Sequence, residues 1–254
     1  MIKTLKVRNL VIGEGKPKVI VPIVGKTETA ILAKADEIDY DTIDAIEWRV
    51  DFYDDVFNID KVKMTAEKLR AKIGEKPLIF TFRTGNEGGE KAISMSEYIA
   101  LNTAIAKSGF VDIIDVEIFS GDEIVRTIID NVHDAGKFVI ASNHDFQKTP
   151  PESELISRMQ KMQDMGADLP KIAMMPTSKE DVLTLLSATL KMHTLYADRP
   201  IITMSMSGKG VISRLSGEVF GSAMTFGAVG QVSAPGQIPV ENLNSVLEII
   251  SKSM

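Results

Sequence analysis

A single lysine stands among mainly apolar residues in the strand predicted over residues 168–176. Pro170 lies near the start of this segment and Pro176 at its end, as is typical where a strand enters and leaves a sheet. Lysine is rarely buried without a partner. If both faces of the strand are covered, Lys171 is partly desolvated, and desolvation favours the neutral amine. A neutral amine in an apolar pocket can form a Schiff base with a ketone. The alternative is a strand-end lysine whose head reaches solvent.

Polar side chains also occur where most of the other predicted strands end. They are Glu47 and Arg49, Arg83 and Glu87, Asp115 and Glu117, His144 and Arg214, with Ser233 and Gln237 in a later Ser-Ala-Pro-Gly-Gln loop. The carboxyl ends of parallel strands meet on one face of a barrel. This repeated pattern therefore predicts a polar pocket at that face.

The three histidines differ in their predicted surroundings. His133 and His193 fall near helix ends or on polar helix faces and are predicted to lie at the surface. His144 ends a β-branched strand, and its near-neutral pKa suits general acid and base catalysis. Glu87 is a candidate for holding the His144 imidazole in orientation. A lone histidine in a chain without cysteine makes a poor zinc site, so we predict no metal, although an acidic magnesium site stays open.

The arginines of the predicted pocket suit a small anionic ligand. Arg83 and Arg214 can each present a planar guanidinium to a carboxylate. Glu47 and Arg49 are two residues apart on a strand and point to the same side. They fit a structural ion pair and substrate binding about equally well.

Two methionines alternate onto one side of the predicted seventh strand. Met204 and Met206 are either plain core residues or the apolar wall beside the Lys171 amine. The turn at residues 207–210 lacks the Gly-Lys-Ser/Thr pattern of a nucleotide-binding loop. A phosphate site after the seventh and eighth strands remains open.

Strand and helix patterns alternate along the whole chain. After a short strand or hairpin within residues 3–12, strands are predicted over 19–24, 45–51, 77–83, 111–117, 138–144, 168–176 and 200–206, and within 220–226. Helices are predicted over residues 25–39, 59–73, 94–107, 152–165, 178–192 and 240–251, and a further helix is predicted between the fourth and fifth strands, ending at residue 133. Eight such strands predict an α/β fold, a (β/α)8 TIM barrel. No Gly-x-Gly-x-x-Gly follows the first strand, which argues against a dinucleotide-binding sheet.

Composition narrows the remaining possibilities. The 254 residues are 44% hydrophobic and show no linker, which favours a single barrel domain over residues 1–254. The net charge is −6 and there is no basic tract, so nucleic acid is an unexpected partner. No apolar run is long enough to span a bilayer, and the start of the chain lacks the apolar core of a signal peptide. We therefore expect a cytoplasmic protein that does not engage membranes.

Two segments resemble the signature of a known enzyme family. Residues 115–118, Asp-Val-Glu-Ile, and residues 139–145, Val-Ile-Ala-Ser-Asn-His-Asp, are similar to those of the type I 3-dehydroquinate dehydratases. The resemblance extends over essentially the whole chain. Further matching segments are Glu47-Trp48-Arg49, Thr81-Phe82-Arg83-Thr84, Lys171-Ile172-Ala173, Ser213-Arg214 and Ser233-Ala234-Pro235-Gly236-Gln237.

This resemblance implies dehydration of 3-dehydroquinate to 3-dehydroshikimate in the shikimate pathway, without cofactor or metal. It implies that Lys171 forms an iminium with the C3 ketone, that His144 moves the C2 proton, and that Glu87 positions His144. The implied substrate contacts are Arg214 on the carboxylate, Glu47, Arg49 and Arg83 around the ring hydroxyls, Met204 and Met206 as the wall, and Ser233 and Gln237 closing over the ligand. Family members are commonly dimers, so a homodimer is implied.

One departure and two alternatives accompany the resemblance. Some family members have a substrate-contacting serine in the first strand, whereas residues 19–24 contain no hydroxyl group. A class I aldolase also uses a barrel lysine Schiff base but cleaves a carbon–carbon bond. A non-catalytic barrel that binds a small acid would use Lys171 only to pair with an anion.

Overall fold

The computed structural model describes residues 2–230 and 236–254, and it begins with an antiparallel hairpin. The hairpin consists of β1 (Leu5–Val7) and β2 (Leu10–Ile12), with Leu5 opposite Ile12. Val7 and Ile12 are buried against the apolar residues at the amino-terminal ends of the following strands. The hairpin therefore closes that end of the molecule.

Eight parallel strands follow within the described residues. They are β3 (Lys18–Ile23), β4 (Ala45–Arg49), β5 (Leu78–Thr81), β6 (Ile113–Glu117), β7 (Phe138–Asp145), β8 (Leu169–Met174), β9 (Ile202–Ser205) and β10 (Met224–Ala228). Each strand from β3 to β8 pairs with the next, and β10 returns to pair with β3. A parallel bridge between Ile201 and Ser222 joins the β9 and β10 segments. The predicted (β/α)8 barrel is confirmed. A short β11 (Ile238–Pro239) extends β10.

Helices surround the strands. They are α1 (Glu28–Asp36), α2 (Ile59–Ile73), α3 (Met95–Ala106), α4 (Asp122–Asp134), α5 (Glu152–Asp164), α6 (Lys179–Lys191), α7 (Val211–Leu215), α8 (Gly217–Phe220) and α9 (Val240–Ser253). Local signals set several of their ends. Ser94 and Ser178 form capping boxes with Glu97 and Asp181, and Gly74 ends α2 with a φ of 58°. Among the described helices, none combines the length and the apolar character needed to cross a bilayer.

The barrel interior changes character from one end to the other. Near the hairpin, isoleucines from several strands, among them Ile20, Ile79 and Ile113, fill the barrel with hydrocarbon. At the carboxyl ends of the strands, the inward residues are charged and still buried, as Asp115 on β6 and Lys171 on β8 show. The barrel interior is therefore apolar at the amino-terminal ends of the strands and polar at their carboxyl ends, the mouth of the barrel, where barrels carry their active sites.

Several predicted bounds differ from those in the structure, among them the bounds of the eighth and the second strand. The eighth strand was predicted within residues 220–226, but Phe220 ends α8 and the strand runs from Met224 to Ala228. The short helix occupies residues 217–220, where it packs closely on Pro17: a Cβ atom on Gly217 would meet the proline ring at 2.7 Å. Asp51 was placed in the second strand, which instead ends at Arg49 and continues as a 3-10 turn.

The hairpin is held to the barrel by one buried carboxylate. Asp112 accepts hydrogen bonds from Arg8 Nε at 2.7 Å, Arg70 Nη2 at 2.5 Å and the backbone N–H of Leu78 at 2.9 Å. The hairpin turn, α2 and the start of β5 therefore meet at one side chain.

We predict that Asp112→Asn lowers the free energy of unfolding by about 2–3 kcal/mol, because two partly buried guanidinium groups lose their counter-charge. Chemical denaturation measures the change. Asp36→Asn is the control, since Asp36 forms an exposed pair with Lys72, and it should cost less than about 0.5 kcal/mol. Equal effects of the two substitutions would contradict the assigned role of Asp112.

Candidate active site

Lys171 lies inside the mouth of the barrel. Strand β8 pairs with β7 and β9 on either side, and Lys171 is only 3% exposed. Its Nζ lies 3.0 Å from Asp115 Oδ2, 3.6 Å from Glu47 Oε1 and 4.7 Å from the centre of the Phe226 ring. The burial expected from the sequence is therefore present, but the expected apolar surroundings are not. Two carboxylates and an aromatic face surround the amine instead.

Arg83 is enclosed by acidic side chains of the protein. Its Nη2 donates to Asp115 at 2.8 Å, and its Nη1 donates to Glu117 at 2.9 Å and lies 3.6 Å from Glu87. Burial alone would lower the pKa of Arg83, but attraction by Asp115 and Glu117 outweighs it and holds the pKa well above its usual value. The terminal nitrogens of the Arg83 guanidinium are thus bonded to other side chains of the protein. A role of Arg83 at substrate hydroxyls stays a prediction.

Glu117 anchors this cluster to the strand ends. Its carboxylate accepts the backbone N–H of Thr84 at 2.8 Å and the Thr84 hydroxyl at 2.6 Å, besides Arg83. The Glu117 backbone N–H in turn donates to the hydroxyl of buried Tyr98 on α3. These bonds fix the end of β6 relative to the loop after β5.

His144 and Glu87 form a bonded pair at the end of β7. Glu87 Oε2 lies 2.9 Å from His144 Nδ1 and accepts the His144 backbone N–H at 2.9 Å, while Oε1 accepts Asn143 Nδ2 at 3.0 Å. Because both oxygens face N–H donors, the geometry suits an ionised Glu87 that accepts from Nδ1–H. The His144 Nε2 then keeps its lone pair. Arg158 Nη1 fixes Asn143 by donating to its Oδ1 at 2.7 Å.

The surroundings move the pKa values of this pair in opposite directions. Burial lowers the pKa of His144 well below its usual value, and the positive charges of Arg83 and Lys171 lower it further. Burial raises the pKa of Glu87 to about 7, although Arg83 opposes the rise. At neutral pH His144 is therefore an uncharged imidazole able to accept a proton.

The other two predicted arginines approach the cavity from different elements. Arg49 donates two hydrogen bonds of 2.8 Å to Asp51 and lies over the Phe52 ring at 5.1 Å. Arg214 on α7 is 2% exposed and its Nη1 lies 3.8 Å from Met204 Sδ. Burial lowers the pKa of Arg214 to about 10, so the guanidinium remains charged at neutral pH.

These side chains surround one cavity of about 210 Å³ at the mouth of the barrel. This is smaller than the roughly 300–1,000 Å³ of sites for drug-sized ligands, so the cavity suits a small molecule. The predicted residues that line it are Glu47, Arg49, Arg83, Glu87, His144, Lys171, Met204, Met206, Arg214 and Gln237. Ser233, the remaining predicted site residue, lies outside the described residues. The individual roles of these residues stay predictions.

Four lining residues were not predicted from the sequence: Gly88, Phe146, Ala173 and Phe226. Phe226 lies in the segment predicted to hold the eighth strand, but an aromatic residue in a strand does not by itself indicate a site. Phe146 follows His144 by two residues and packs so closely on Gly88 that a Cβ atom there would lie 2.5 Å from its ring. The glycine pair at 88–89 was the available signal, since a positive φ and a close approach both favour glycine.

Comparison with known proteins identifies the family of the chain. The family model described as type I 3-dehydroquinase matches residues 19–254. The 3-dehydroquinate dehydratases of Clostridioides difficile strain 630 and Clostridium botulinum strain Eklund 17B are 54% and 53% identical over 254 residues, covering 100% of both chains in each case.

Solved structures of relatives have the same fold. The type I 3-dehydroquinate dehydratase from Clostridium difficile with covalently modified comenic acid superposes with a TM-score of 0.98 at 54% identity, covering 100% of each chain. The 3-dehydroquinate dehydratase from Geobacillus kaustophilus gives a TM-score of 0.95 at 38% identity, covering 98% of this chain and 97% of its own. The chain therefore belongs to the type I 3-dehydroquinase family.

Proposed function

We propose that this chain dehydrates 3-dehydroquinate to 3-dehydroshikimate through a covalent imine at Lys171. Family membership supports the reaction, a lyase step of the shikimate pathway. The observation that carries the mechanism is the presence of the buried Lys171 amine and the uncharged His144 imidazole in one small cavity.

The imine supplies the activation that this elimination needs. Lys171 Nζ in its free-amine form attacks the C3 ketone to give a neutral carbinolamine. A proton is then delivered to the carbinolamine hydroxyl, which leaves as water, and the nitrogen lone pair forms the iminium. The iminium withdraws electrons and acidifies the C2 proton. His144 Nε2 accepts that proton, and the electrons of the resulting enamine expel the C1 hydroxyl, which His144 protonates to water. Hydrolysis of the product imine regenerates the lysine.

The remaining lining residues provide binding and closure. Arg214 is the group we assign to the substrate carboxylate, because it is a buried cation that stays charged at neutral pH. Glu47 and Arg49 suit the ring hydroxyls, and Met204 and Met206 form an apolar wall. Gln237 lines the cavity and suits a contact with the bound substrate, and the predicted substrate contact of Ser233 falls outside the described residues.

Other properties follow the family rather than the geometry. We propose that the reaction needs neither cofactor nor metal, and that the protein acts as a cytoplasmic homodimer. The single domain over residues 1–254 stays a prediction.

Reduction with borohydride in the presence of 3-dehydroquinate should trap a substrate-sized adduct on Lys171. Peptide mass mapping locates the adduct, and Lys171→Met should abolish it. Lys209→Met is the control that keeps it, because Lys209 is an exposed lysine that bonds the Thr177 carbonyl. An adduct on any other residue would contradict the assignment.

The same experiment distinguishes the two alternative functions. A carbon–carbon cleavage product would favour an aldolase, and reversible binding without an adduct or turnover would favour a barrel that only binds its ligand.

His144→Ala should retain formation of the covalent adduct but lower kcat by roughly 10²–10⁴-fold, because the variant lacks the group that moves the proton. Steady-state rates and borohydride trapping measure the two steps separately. His133→Ala is the matched control, since His133 bonds Asp168 outside the cavity and should turn over normally. Undiminished turnover by His144→Ala would remove His144 from the mechanism.

The raised pKa of Glu87 predicts a pH-dependent effect of Glu87→Gln on stability. The pKa rises from 4.5 to about 7 on folding, so the ionised group destabilises the fold above pH 4.5, and fully so above pH 7. The melting temperature of Glu87→Gln relative to the parent should therefore increase between pH 4.5 and 7. Glu90→Gln, at an exposed position, is the control. A difference that stays constant with pH would contradict the raised pKa.

A further inference from the structure

The carboxylate of Asp115 binds different groups at its two oxygens. Oδ1 accepts hydrogen bonds from Arg83 Nη2 at 2.8 Å and from the Ser142 hydroxyl at 2.6 Å. Oδ2 accepts from Lys171 Nζ at 3.0 Å. The side chain is fully buried. One oxygen is thus fixed to the barrel wall while the other faces the amine.

We propose that Asp115 is the permanent counter-ion of the reacting nitrogen of Lys171, positioning it and stabilising the iminium. This inference rests on the proposed imine function and adds to it a residue outside the lining of the cavity.

The groups around the Asp115 carboxylate favour its ionised form. Oδ1 already accepts two hydrogen bonds, so a proton on that oxygen would displace one of the donors, and a proton on Oδ2 would share that oxygen with the Lys171 amine. Burial would raise the pKa of Asp115, but the charges of Arg83 and Lys171 outweigh it and hold the pKa well below its usual range. Asp115 therefore acts through a fixed charge and does not serve as a proton acceptor.

Other groups face the Lys171 amine, but less directly. Glu47 on β4 lies 3.6 Å away and its Oε1 also accepts the Thr81 hydroxyl at 2.9 Å. The Phe226 ring on β10 lies at 4.7 Å, and the charges of Arg83 and the imidazole of His144 belong to the same cluster. Asp115 is the nearer of the two carboxylates and the more deeply buried.

The charge on the nitrogen changes twice during imine formation. The ammonium carries a positive charge, and the free amine and the carbinolamine carry none. The nitrogen is positive again in the iminium, once the carbinolamine hydroxyl has been protonated and the C–O bond breaks to release water. A fixed anion at Oδ2 lowers the fraction of free amine but stabilises the iminium. Removing that anion should therefore have opposite effects on the amine and on turnover.

The test replaces Asp115 with asparagine, which is nearly isosteric and uncharged. Potassium cyanate, which carbamoylates free amines, is applied across a pH series, and mass spectrometry follows Lys171. We expect the pH midpoint of carbamoylation to fall by about one unit or more in Asp115→Asn. At the same time, kcat for 3-dehydroquinate should fall roughly 10²–10³-fold, with little change in KM.

Two further comparisons separate this role from a merely structural one. Unfolding would expose Lys171 and move the midpoint to that of a free lysine, whereas loss of the counter-ion in a folded barrel moves it below that value. Asp115→Glu keeps the charge, so its midpoint should stay near that of the parent even if its turnover falls. The inference would be overturned if the midpoint of Asp115→Asn equalled that of the parent, or if Asp115→Glu shifted the midpoint by the same amount as Asp115→Asn. Turnover of Asp115→Asn within threefold of the parent would also overturn it.

The cyanate readout does not use the substrate. If the chain failed to dehydrate 3-dehydroquinate, the proposed function would fail while the midpoint still tested the counter-ion. Normal dehydration by the parent with no midpoint shift in Asp115→Asn would overturn only the inference about Asp115.

Discussion

The site depends on a chain of buried charges that joins Arg83, Asp115 and Lys171. Arg83 and Lys171 meet the two oxygens of one carboxylate, and Glu117 and Glu47 stand beside them. Removing one partner from such a cluster leaves an uncompensated buried charge, which typically costs about 3–5 kcal/mol. The cluster therefore holds the Lys171 amine in one place, at the cavity and away from bulk water, without needing a purely apolar pocket.

The fold places this charged cluster at one end of the barrel interior and apolar side chains at the other. Isoleucines and the amino-terminal hairpin fill one end with hydrocarbon, so the strands are held rigidly below the site. At the other end, neighbouring parallel strands bring residues distant in sequence into register, as where Ser142 pairs with Lys171. Glu87 comes from the loop after β5 and reaches His144 on β7. The relative positions of these side chains therefore depend on which strands are neighbours in the barrel.

Much of this could be predicted from the sequence. Continuous apolar runs indicated the strands, and charged residues at their ends indicated the pocket, because parallel strands converge there. The surroundings of Lys171 could not be predicted, since its carboxylate partners lie 56 and 124 positions away in the chain. The contacts of Arg83 with three carboxylates and with the Ser142 hydroxyl likewise bring together residues far apart in the chain, and its predicted role at substrate hydroxyls stays a prediction. The eighth strand was predicted a few residues too early, because the glycine and serine residues around 221–222 gave its start no clear signal.

Covalent binding at Lys171 beside Asp115 can be tested by a crystal structure of the protein soaked with 3-dehydroquinate. We expect continuous electron density between Lys171 Nζ and C3 of the ligand, with Asp115 Oδ2 still within hydrogen-bonding distance of that nitrogen and the His144 imidazole facing C2. A ligand bound without that bond, with Lys171 turned away from Asp115 and from the cavity, would contradict it.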